Sequence, residues 1–317
     1  MAYRIGIDIG GTNVKAGVVS AQYEIVGTAS VPTRADRPTE DVVDTIAQAA
    51  REAVTAAGLT MEEIVSVGAG CPGTCNLDNG EVEYANNLHF DHVPLCAMLR
   101  ERLGKPVYIQ NDANAAVLGE ALAGAARGKK DCVVITLGTG VGGGVMIDGK
   151  IFCGANFAGA ELGHSIIEMD GEPCTCGRKG CWEAYASVTA LVRQTRRAME
   201  QHPESRMWEL APTLEKAGGR TAFDAMRLGD PVATQVVEQY LRYVAHGLVD
   251  IINIFQPEVL CIGGAISKEG ETLLAPLRDY AARERYSKYA AKQTEIVRAQ
   301  LGNDAGIIGA ALLDTLA

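Results

Sequence analysis

The stretch IGIDIGGTNVKAGVV, residues 5–19, predicts two short apolar strands joined by a glycine-rich turn. A similar pattern occurs at residues 133–147, where VVITLGTGVGGGVMI again runs from an apolar strand through Gly and Thr into a second apolar strand. An internal repeat of this kind predicts two related halves. We therefore expect two α/β domains with a cleft between them.

The segments around these two turns alternate between strand and helix patterns. Apolar residues at a helical spacing, such as Val42, Ile46 and Ala53, predict a first helix that Gly58 ends. The expected elements after the first two strands are a strand at 23–31, a helix at 41–57, a strand at 64–70, a helix at 95–103, a strand at 106–110, a helix at about 113–125, a helix at about 231–255, a strand at 258–264 and a last helix after 304. The first half thus has the order βββαβαβα, which is typical of a mixed sheet flanked by helices.

The overall composition is that of a two-domain protein with an acidic charge balance. A chain of 317 residues with 47% hydrophobic residues is long enough for two domains that each bury a core. Its net charge of −10 argues against nucleic acid as a partner, because contact with the phosphate backbone needs a basic surface. The apolar run at 132–147 is too short to span a membrane.

The N-terminus, MAYRIGIDIG, has no basic segment followed by an apolar one, so we expect no signal peptide. Nine cysteines in a chain without such a signal indicate a reducing, cytoplasmic location, where disulfides seldom persist. Six of the nine are scattered, and we interpret them as small buried apolar residues. They are Cys71, Cys75, Cys96, Cys132, Cys153 and Cys261.

Both glycine-rich turns are candidate phosphate-binding loops. Glycines let backbone N–H groups point outward at a turn, and a Thr hydroxyl adds a further donor. Neither turn fits the P-loop or the dinucleotide fingerprint, because each continues as a strand and not as a helix. A tight hairpin is the alternative for either turn alone, but two such turns in corresponding halves favour a phosphate held from both sides. The candidate residues are Gly10, Gly11, Thr12, Asn13, Gly138, Thr139, Gly140 and Gly142.

Two charged residues flank the first turn. Asp8 lies near the end of the first strand, where acting through water it could hold the Mg²⁺ that accompanies nucleotide phosphates, and capping of the turn is the alternative. Lys15 could contact phosphate or could be an exposed strand residue. The sequence leaves these alternatives open.

Asn111 and Asp112 lie where a predicted strand changes to a predicted helix. An Asp at the start of a helix is often only a cap. Phosphoryl transfer to a hydroxyl, however, needs a base that takes the proton of the attacking alcohol, and a carboxylate facing a cleft can do this. The local sequence leaves both roles open for Asp112.

The segment ELGHSIIEMDGEPCTCGRKGCWEA, residues 161–184, predicts a metal site. Three sulfur ligands and one nitrogen suit a tetrahedral structural zinc. A catalytic zinc with Glu161 or Glu183 as base is disfavoured, because it would keep an open coordination position. A disulfide is disfavoured by the reducing location and the odd number of cysteines. The predicted ligands are His164, Cys174, Cys176 and Cys181.

Four stretches together resemble the ROK family of repressors, open reading frames and kinases, and within it the branch of bacterial ATP-dependent glucokinases. They are DIGGTNVK, QNDANAA, LGTGVGGGVMIDGKIFCGANFAGAELGH and CTCGRKGCWEAYAS, and their order and spacing fit the family over essentially all 317 residues. The resemblance implies the actin-like ATPase fold, a duplicated ribonuclease H-like unit with two domains and a cleft between them. It also implies ATP-dependent phosphorylation of the 6-hydroxyl of a hexose, with glucose as the expected substrate.

The resemblance further implies an arrangement of domains and subunits. A small N-terminal domain would comprise residues 1–119 and be rejoined by the last helix, about 304–317. Residues 120–303 would form a large domain that carries the zinc motif and the dimer interface. We therefore expect a homodimer, or a tetramer as its larger alternative, with hexose, ATP, Mg²⁺ and a structural Zn²⁺ as ligands. Neither a membrane nor nucleic acid is expected as a partner.

Carried onto this sequence residue by residue, the resemblance implies Asp112 as the general base and Asn111 as a sugar ligand. Glu161, His164 and Glu183 match the other sugar-binding residues of the family. Zinc on one ring nitrogen of His164 would leave the other nitrogen for a hydroxyl. The remaining candidates are Gly73 and either Asn86 or Asn87 on the small-domain side, and Gly263 and Gly264 beside the adenosine, where a plain strand-end turn is the alternative.

Other activities of the same family are the alternatives. Kinases for N-acetylmannosamine, N-acetylglucosamine, allose or fructose share the set of Glu161, His164 and Glu183, so these residues do not separate the substrates. A sugar-responsive repressor is the distant alternative. Such proteins carry a helix-turn-helix domain before the DIGGT segment, whereas here seven residues precede Asp8.

Overall fold

The computed structural model describes residues 2–316, and every predicted strand and helix lies within about two residues of an observed one. The strands are β1 Tyr3–Ile9, β2 Asn13–Val19, β3 Ile25–Pro32, β4 Ile64–Cys71, β5 Thr74–Asn76, β6 Glu81–Ala85, β7 Phe90–Val93, β8 Val107–Asn111, β9 Cys132–Leu137, β10 Val141–Ile147, β11 Lys150–Ile151, β12 Val259–Gly263 and β13 Glu295–Arg298. The helices are α1 Thr39–Ala56, α2 Leu95–Leu103, α3 Asp112–Ala123, α4 Glu183–Ala186, α5 Val188–Gln201, α6 Met207–Leu210, α7 Thr221–Arg227, α8 Pro231–Phe255, α9 Glu271–Glu284 and α10 Ala305–Ala311.

The first sheet has the strand order β3-β2-β1-β4-β8. The pairs β1–β2 and β2–β3 are antiparallel, and β4 and β8 continue the sheet in parallel with β1. Parallel strands end at the same edge of a sheet. At this edge Asp8 pairs with Gly70, and Cys71 pairs with Asn111. This register brings the ends of β1, β4 and β8 together at the edge where the candidate carboxylates lie.

The second five-stranded sheet has the order β11-β10-β9-β12-β13, which repeats the order of the first. Its β10–β11 pair is antiparallel and its β12–β13 pair is parallel, like the corresponding pairs of the first sheet. The repeated order supports the internal duplication that the two glycine-rich turns predict. A small antiparallel sheet, β5-β6-β7, has no counterpart in the sequence-based prediction.

Helices cover both faces of the first sheet. On one face, α10 lies so close to the strands that a Cβ at Gly68 would overlap the backbone of Ala310. Gly309 approaches the backbone of Ala115 in the same way, which brings α10 and α3 into close contact. Ile5 and Ile7 point to the opposite face, since side chains alternate along β1, and they share a buried core cluster with residues of α1.

The chain divides into two compact units. The first contains the chain up to Val134, Gly144–Ala160 and the part from Ala299 onward, and the second contains Ile135–Gly143 and Glu161–Arg298. The sequence-based prediction assigns residues 120–134, 144–160 and 299–303 to the large domain, whereas they group here with the first unit. The boundaries of the two domains therefore remain predictions. Residues 1 and 317, at which the predicted first domain begins and ends, lie outside the described residues.

A buried carboxylate joins three segments of the first unit. Glu120, near the end of α3, is 0% exposed. Its Oε2 accepts hydrogen bonds from the backbone N–H groups of Ala125 and Gln300 at 2.7 and 3.1 Å, and its Oε1 accepts from that of Leu301 at 2.8 Å. These bonds compensate the desolvation of the carboxylate and fix the point where the C-terminal segment joins the unit.

The scattered cysteines follow the prediction with one exception. Five of them are buried, whereas Cys153 is half-buried and accepts a hydrogen bond from Gln110. The interpretation of Cys153 as a buried apolar residue is therefore wrong. No helix within residues 2–316 has the length and apolar character needed to cross a membrane.

Candidate active site

The turn between β1 and β2 is a short hairpin that its own backbone holds in shape. The Gly10 N–H donates to Asn13 O at 3.0 Å, and Thr33 Oγ1 donates to Gly10 O at 2.6 Å. Gly11 and Thr12 form the exposed tip of the hairpin. Neither glycine has a positive φ, so the turn does not use the left-handed region.

Asp8 and Lys15 face each other at the base of this hairpin. They are directly opposed in the antiparallel register, and both are half-buried. Burial raises the pKa of Asp8, the charge of Asp112 raises it further, and the charge of Lys15 opposes both effects. Lys15 is therefore not an exposed strand residue. It compensates the charge of Asp8.

Asp112 is the first residue of α3, and Asn111 is its N-cap. Asn111 Oδ1 accepts from the N–H groups of Ala113 and Asn114 at 3.0 and 3.3 Å. Capping of α3 thus belongs mainly to Asn111, although Asp112 Oδ1 also accepts from Ala113 at 2.8 Å. The other oxygen of the Asp112 carboxyl group is not needed for the cap.

The Asp112 carboxyl group is accessible to solvent but closely surrounded by protein atoms. This partial desolvation raises the pKa of Asp112, and the N–H of Ala113, which stabilises the carboxylate, opposes the shift. A carboxylate with a raised pKa is a stronger base than free aspartate. The environment of Asp112 therefore suits proton abstraction.

Gly73 lies beside Asn111 in the first unit. Asn111 Nδ2 donates to Gly73 O at 3.1 Å. Gly73 has a φ of +92°, and a Cβ there would overlap the carbonyl oxygen of Tyr84. Only glycine fits this position, which brings the backbone next to the Asn111 side chain.

The two candidate asparagines have different surroundings. Asn86 Oδ1 accepts a hydrogen bond from the Tyr84 hydroxyl at 3.3 Å. Asn87 lies next to the tip of the β1–β2 hairpin, where a Cβ at Gly11 would be 3.3 Å from Asn87 Cβ. Asn87 is thus the asparagine that borders the candidate phosphate-binding turn.

The second glycine-rich loop is held by the start of α5. The Val188 N–H donates to Gly138 O at 2.8 Å, and Thr189 Oγ1 donates to Thr139 O at 2.7 Å. Within the loop, the Gly138 N–H donates to Gly140 O at 3.0 Å. These bonds hold the carbonyl groups of residues 138–140 and thereby fix the orientation of the peptide planes in the loop.

Glu183 joins this loop to the cysteine cluster. Its Oε2 accepts from the Val141 N–H at 2.9 Å, and its Oε1 accepts from Thr175 Oγ1 at 3.2 Å and lies 3.7 Å from Cys174 Sγ. A Cβ at Gly140 would overlap Glu183 Oε2. The Glu183 carboxylate is therefore held in one orientation between the loop and the cluster.

The four predicted zinc ligands converge on one point. One ligand atom from each of His164, Cys174, Cys176 and Cys181 lies within 4.8 Å of the others. The Sγ atoms of Cys176 and Cys181 are 3.6 Å apart, as are Cys174 Sγ and His164 Nδ1. Ligand atoms at the corners of a tetrahedron around zinc would be about 3.8 Å apart, so this donor set fits the metal. The nine cysteines all lie within the described residues, and no disulfide joins any two of them.

Two thiols of the cluster have pKa values that are shifted in opposite directions. Burial raises the pKa of the Cys181 thiol to about 12, whereas the Arg178 N–H lowers the pKa of Cys176. A bound metal ion would hold both sulfurs as thiolates. His164 Nδ1 faces the sulfurs, which leaves Nε2 for another partner. Glu161 begins the turn that carries His164, whose N–H donates to Glu161 O at 3.0 Å.

Gly264 follows β12 with a φ of +83°, and a Cβ there would overlap the backbone of Leu137. Glycine is therefore required at this turn for both conformation and space. A cavity of 620 Å³ begins at the next residues, Ala265 and Ile266, which is within the size range of small-molecule sites. Its charged lining residues are Arg220, Asp224, Arg227, Lys268 and Glu269.

The ROK family profile matches residues 4–315. The chain belongs to the ROK family. A glucokinase from Thermotoga maritima is 40% identical to this ROK chain over 312 residues, which cover 97% of the chain and 95% of the relative. A glucokinase from Streptomyces coelicolor is 39% identical, with 98% of this chain and 97% of the relative covered.

A solved structure extends the likeness to the fold. The structure of a ROK family glucokinase from Streptomyces griseus in complex with glucose and AMPPNP matches with a TM-score of 0.83 and 37% identity. The match covers 99% of this ROK chain and 100% of the other. The predicted actin-like ATPase fold is confirmed.

The candidate residues of this ROK chain are divided between the two units. The first unit carries Asp8, Gly10, Gly11, Thr12, Asn13, Lys15, Gly73, Asn86, Asn87, Asn111 and Asp112. The second carries Gly138, Thr139, Gly140, Gly142, Glu161, His164, Cys174, Cys176, Cys181, Glu183, Gly263 and Gly264. The charged residues that line the 620 Å³ cavity were missed, because no local pattern shows that α7 lies beside the turn after β12.

Proposed function

We infer that this ROK chain is an ATP-dependent glucokinase, which transfers the γ-phosphoryl group of ATP to the 6-hydroxyl of glucose. The observation that carries this inference is the likeness to glucokinases over nearly the whole chain, at 40% identity to the Thermotoga maritima protein. The Streptomyces griseus glucokinase in complex with glucose and AMPPNP supports the same pair of substrates.

We propose Asp112 as the general base. As the 6-hydroxyl oxygen attacks, a new O–P bond forms, the bond between the γ-phosphorus and the ADP oxygen breaks, and Asp112 takes the hydroxyl proton. Two observations support this role: Asn111 already caps α3, and desolvation raises the pKa of Asp112. After product release the proton passes to solvent.

We propose candidate ligands for the sugar hydroxyls within each unit. In the first unit these are Asn111, the backbone at Gly73, and Asn87, which we favour over Asn86 because Asn87 borders the hairpin. In the second unit they are Glu161, His164 and Glu183. The orientation of the Glu183 carboxylate and the unused Nε2 of His164 support this assignment.

We propose that the nucleotide phosphates are bound at the β1–β2 hairpin, residues 10–13, and at the loop 138–142. The nucleoside would occupy the cavity beside Gly263 and Gly264, whose size supports this placement. Asp8 would hold Mg²⁺ through water, and Mg²⁺ would neutralise charge on the phosphates. Burial and the neighbouring charge of Asp112 raise the pKa of Asp8, and a cation at this position would offset both effects.

We also propose a structural zinc, a homodimer and a cytoplasmic location. The converging ligand atoms support the zinc. The odd number of cysteines, which does not fit a complete disulfide framework, supports the location. Large exposed apolar side chains on the second unit support self-association. They are Ile254, Tyr286 and Tyr289, which are 70%, 92% and 92% exposed.

A coupled ADP-release assay over a panel of hexoses tests the proposed function. We expect kcat/KM with ATP to be highest for glucose and lower for N-acetylglucosamine, N-acetylmannosamine, allose and fructose. Turnover of an N-acetylated hexose without turnover of glucose would overturn the substrate assignment. Replacing ATP by ADP or inorganic polyphosphate in the same assay determines the phosphate donor.

A further inference from the structure

Gln110 is a buried amide near the end of β8, one residue before Asn111. It is 3% exposed, and both ends of its amide are hydrogen-bonded. Oε1 accepts from the Asn111 N–H at 2.8 Å and from Asn114 Nδ2 at 3.2 Å, and Nε2 donates to Cys153 Sγ at 3.3 Å. Because a buried polar group is costly without partners, this position requires a side chain that both accepts and donates.

Two hydrogen bonds of the Gln110 side chain reach residues on either side of Asp112 in the sequence. Asn111 precedes Asp112, and Asn114 follows it in the first turn of α3. Gln110 thus links the last peptide of β8 to the first turn of the helix. The same turn is capped by Asn111 Oδ1. The direction of the Asp112 carboxyl group depends on the geometry of this junction.

Cys153 extends these bonds to the segment that follows β11. Its half-buried thiol also lies 3.8 Å from Asn114 Nδ2. The Gly159 N–H donates to Cys153 O at 2.8 Å, which folds the segment 153–159 back on itself. Asn114 is only 2% exposed, so the surrounding protein holds this partner of Gln110 in place.

We propose that Gln110, Asn114 and Cys153 are positioning residues that hold Asp112 in the orientation required for proton transfer. None of the three needs to touch the substrate, because they act through the junction between β8 and α3. The inference rests on the proposed function, since it takes Asp112 as the base. A displacement of a reacting group by about 1 Å can cost on the order of 10²-fold in rate.

Gln110→Met tests this proposal, because it keeps the length of the side chain and removes its three hydrogen bonds. We expect kcat with glucose and ATP to fall about 10- to 100-fold, while KM for either substrate changes less than about threefold. A loss confined to kcat distinguishes a displaced base from general loosening of the substrate site.

Ile109→Val is the matched control. Ile109 precedes Gln110 on β8 and is 6% exposed, and its side chain points to the opposite face of the strand. The substitution removes one buried methylene and lowers stability without touching the junction. We expect kcat to stay within about twofold of wild type when all variants are assayed well below their melting temperatures.

A conservative variant separates positioning from packing. Gln110→Glu keeps an acceptor for the Asn111 N–H and for Asn114 Nδ2 but loses the donor toward Cys153, so it should recover only part of the kcat lost in Gln110→Met. Cys153→Ala provides a second, milder test that remains available if Gln110→Met fails to fold. We expect it to lower kcat about 3- to 10-fold, and its effect should not add to that of Gln110→Met.

A wild-type kcat in folded Gln110→Met or in Cys153→Ala would overturn the proposal, as would an equal loss in Ile109→Val. These results are distinct from failure of the proposed function, which would appear in the wild-type protein. If another hexose of the panel is the substrate, the same variants are compared on that hexose. Inactivity of the wild-type protein on every hexose would overturn both inferences.

Discussion

Asp112 and Asp8 lie in the same unit, and desolvation by the surrounding protein atoms raises the pKa of both carboxyl groups. The charge of Asp112 raises the pKa of Asp8 further, and Lys15 compensates only part of the effect. Neighbouring carboxyl groups with raised pKa values are typical of sites that take up a proton or a cation. At the scale of single residues, the chemistry of the first unit is therefore concentrated at Asp112 and Asp8.

Asp112→Asn should abolish most phosphoryl transfer and leave sugar binding intact. We expect kcat to fall about 10²- to 10⁴-fold, because the amide cannot accept the hydroxyl proton, whereas the Kd for glucose stays within about threefold. Steady-state kinetics and equilibrium binding measure the two effects. Asp78→Asn, at an exposed turn of the first unit, is the control and should keep full activity. Near-normal turnover by folded Asp112→Asn would remove Asp112 from the catalytic role.

The same substitution should stabilise the fold at neutral pH. The pKa of Asp112 in the folded state is raised above its ordinary value of 3.8. At pH values between the pKa of the unfolded state and that of the folded state, the folded state therefore binds more protons than the unfolded state. Stability therefore falls as the pH rises through the range between the two pKa values. Asp112→Asn removes this cost, so its Tm at pH 7 should exceed that of wild type, and the difference should shrink toward pH 4. A lower Tm at pH 7 would contradict the raised pKa.

At the scale of elements, the segment from His164 to Glu183 connects the cysteine cluster to the second glycine-rich loop. The connection runs through the Glu183 carboxylate, which bonds to Thr175 on one side and to Val141 on the other. A change in the cluster should therefore reach both a proposed sugar ligand and a proposed phosphate loop. This coupling would give the proposed zinc a positioning role and no part in bond making.

Cys176→Ala should weaken sugar binding and stability together. We expect loss of bound zinc, a lower Tm and a KM for glucose raised at least about tenfold, because metal binding is coupled to folding of the loop. Metal analysis, thermal unfolding and kinetics measure these effects. Cys261→Ala, at a buried position on β12, is the control that loses packing but should keep zinc. Wild-type glucose affinity in metal-free protein would show that the coupling is wrong.

Glu120→Gln should destabilise the first unit. The amide nitrogen would face a backbone N–H where a carboxylate oxygen now accepts, and the N–H groups of Ala125, Gln300 and Leu301 lose a charged acceptor. We expect the free energy of unfolding in urea to fall by about 3 kcal/mol. Glu52→Gln, on the exposed face of α1, should change it by less than about 0.5 kcal/mol. Equal effects of the two substitutions would refute the role of Glu120.

At the scale of the whole molecule, the two five-stranded sheets share one strand order, and the sequence predicts this duplication from two short loops. The helices α1 and α8 are also predictable, because they contain enough turns to show a helical period. The sequence-based prediction does not include α5 and α9, although each has 14 residues. The small sheet β5-β6-β7 and the short helices α4, α6 and α7 are missed, since strands of 3–5 residues and helices of 4–7 residues carry too little of a pattern.

The local sequence was sufficient for the duplicated fold, the approximate bounds of α1 and α8 and the set of possible metal ligands. These features depend on residue types at short spacings, which hydrophobic periodicity and ligand chemistry make readable. It was not sufficient for the pairing of Lys15 with Asp8, the bond from Val141 to Glu183 or the contact of Gln110 with Cys153. Each of these contacts joins residues that are distant in sequence or face each other across strands, so their geometry appears only when the sheets are assembled.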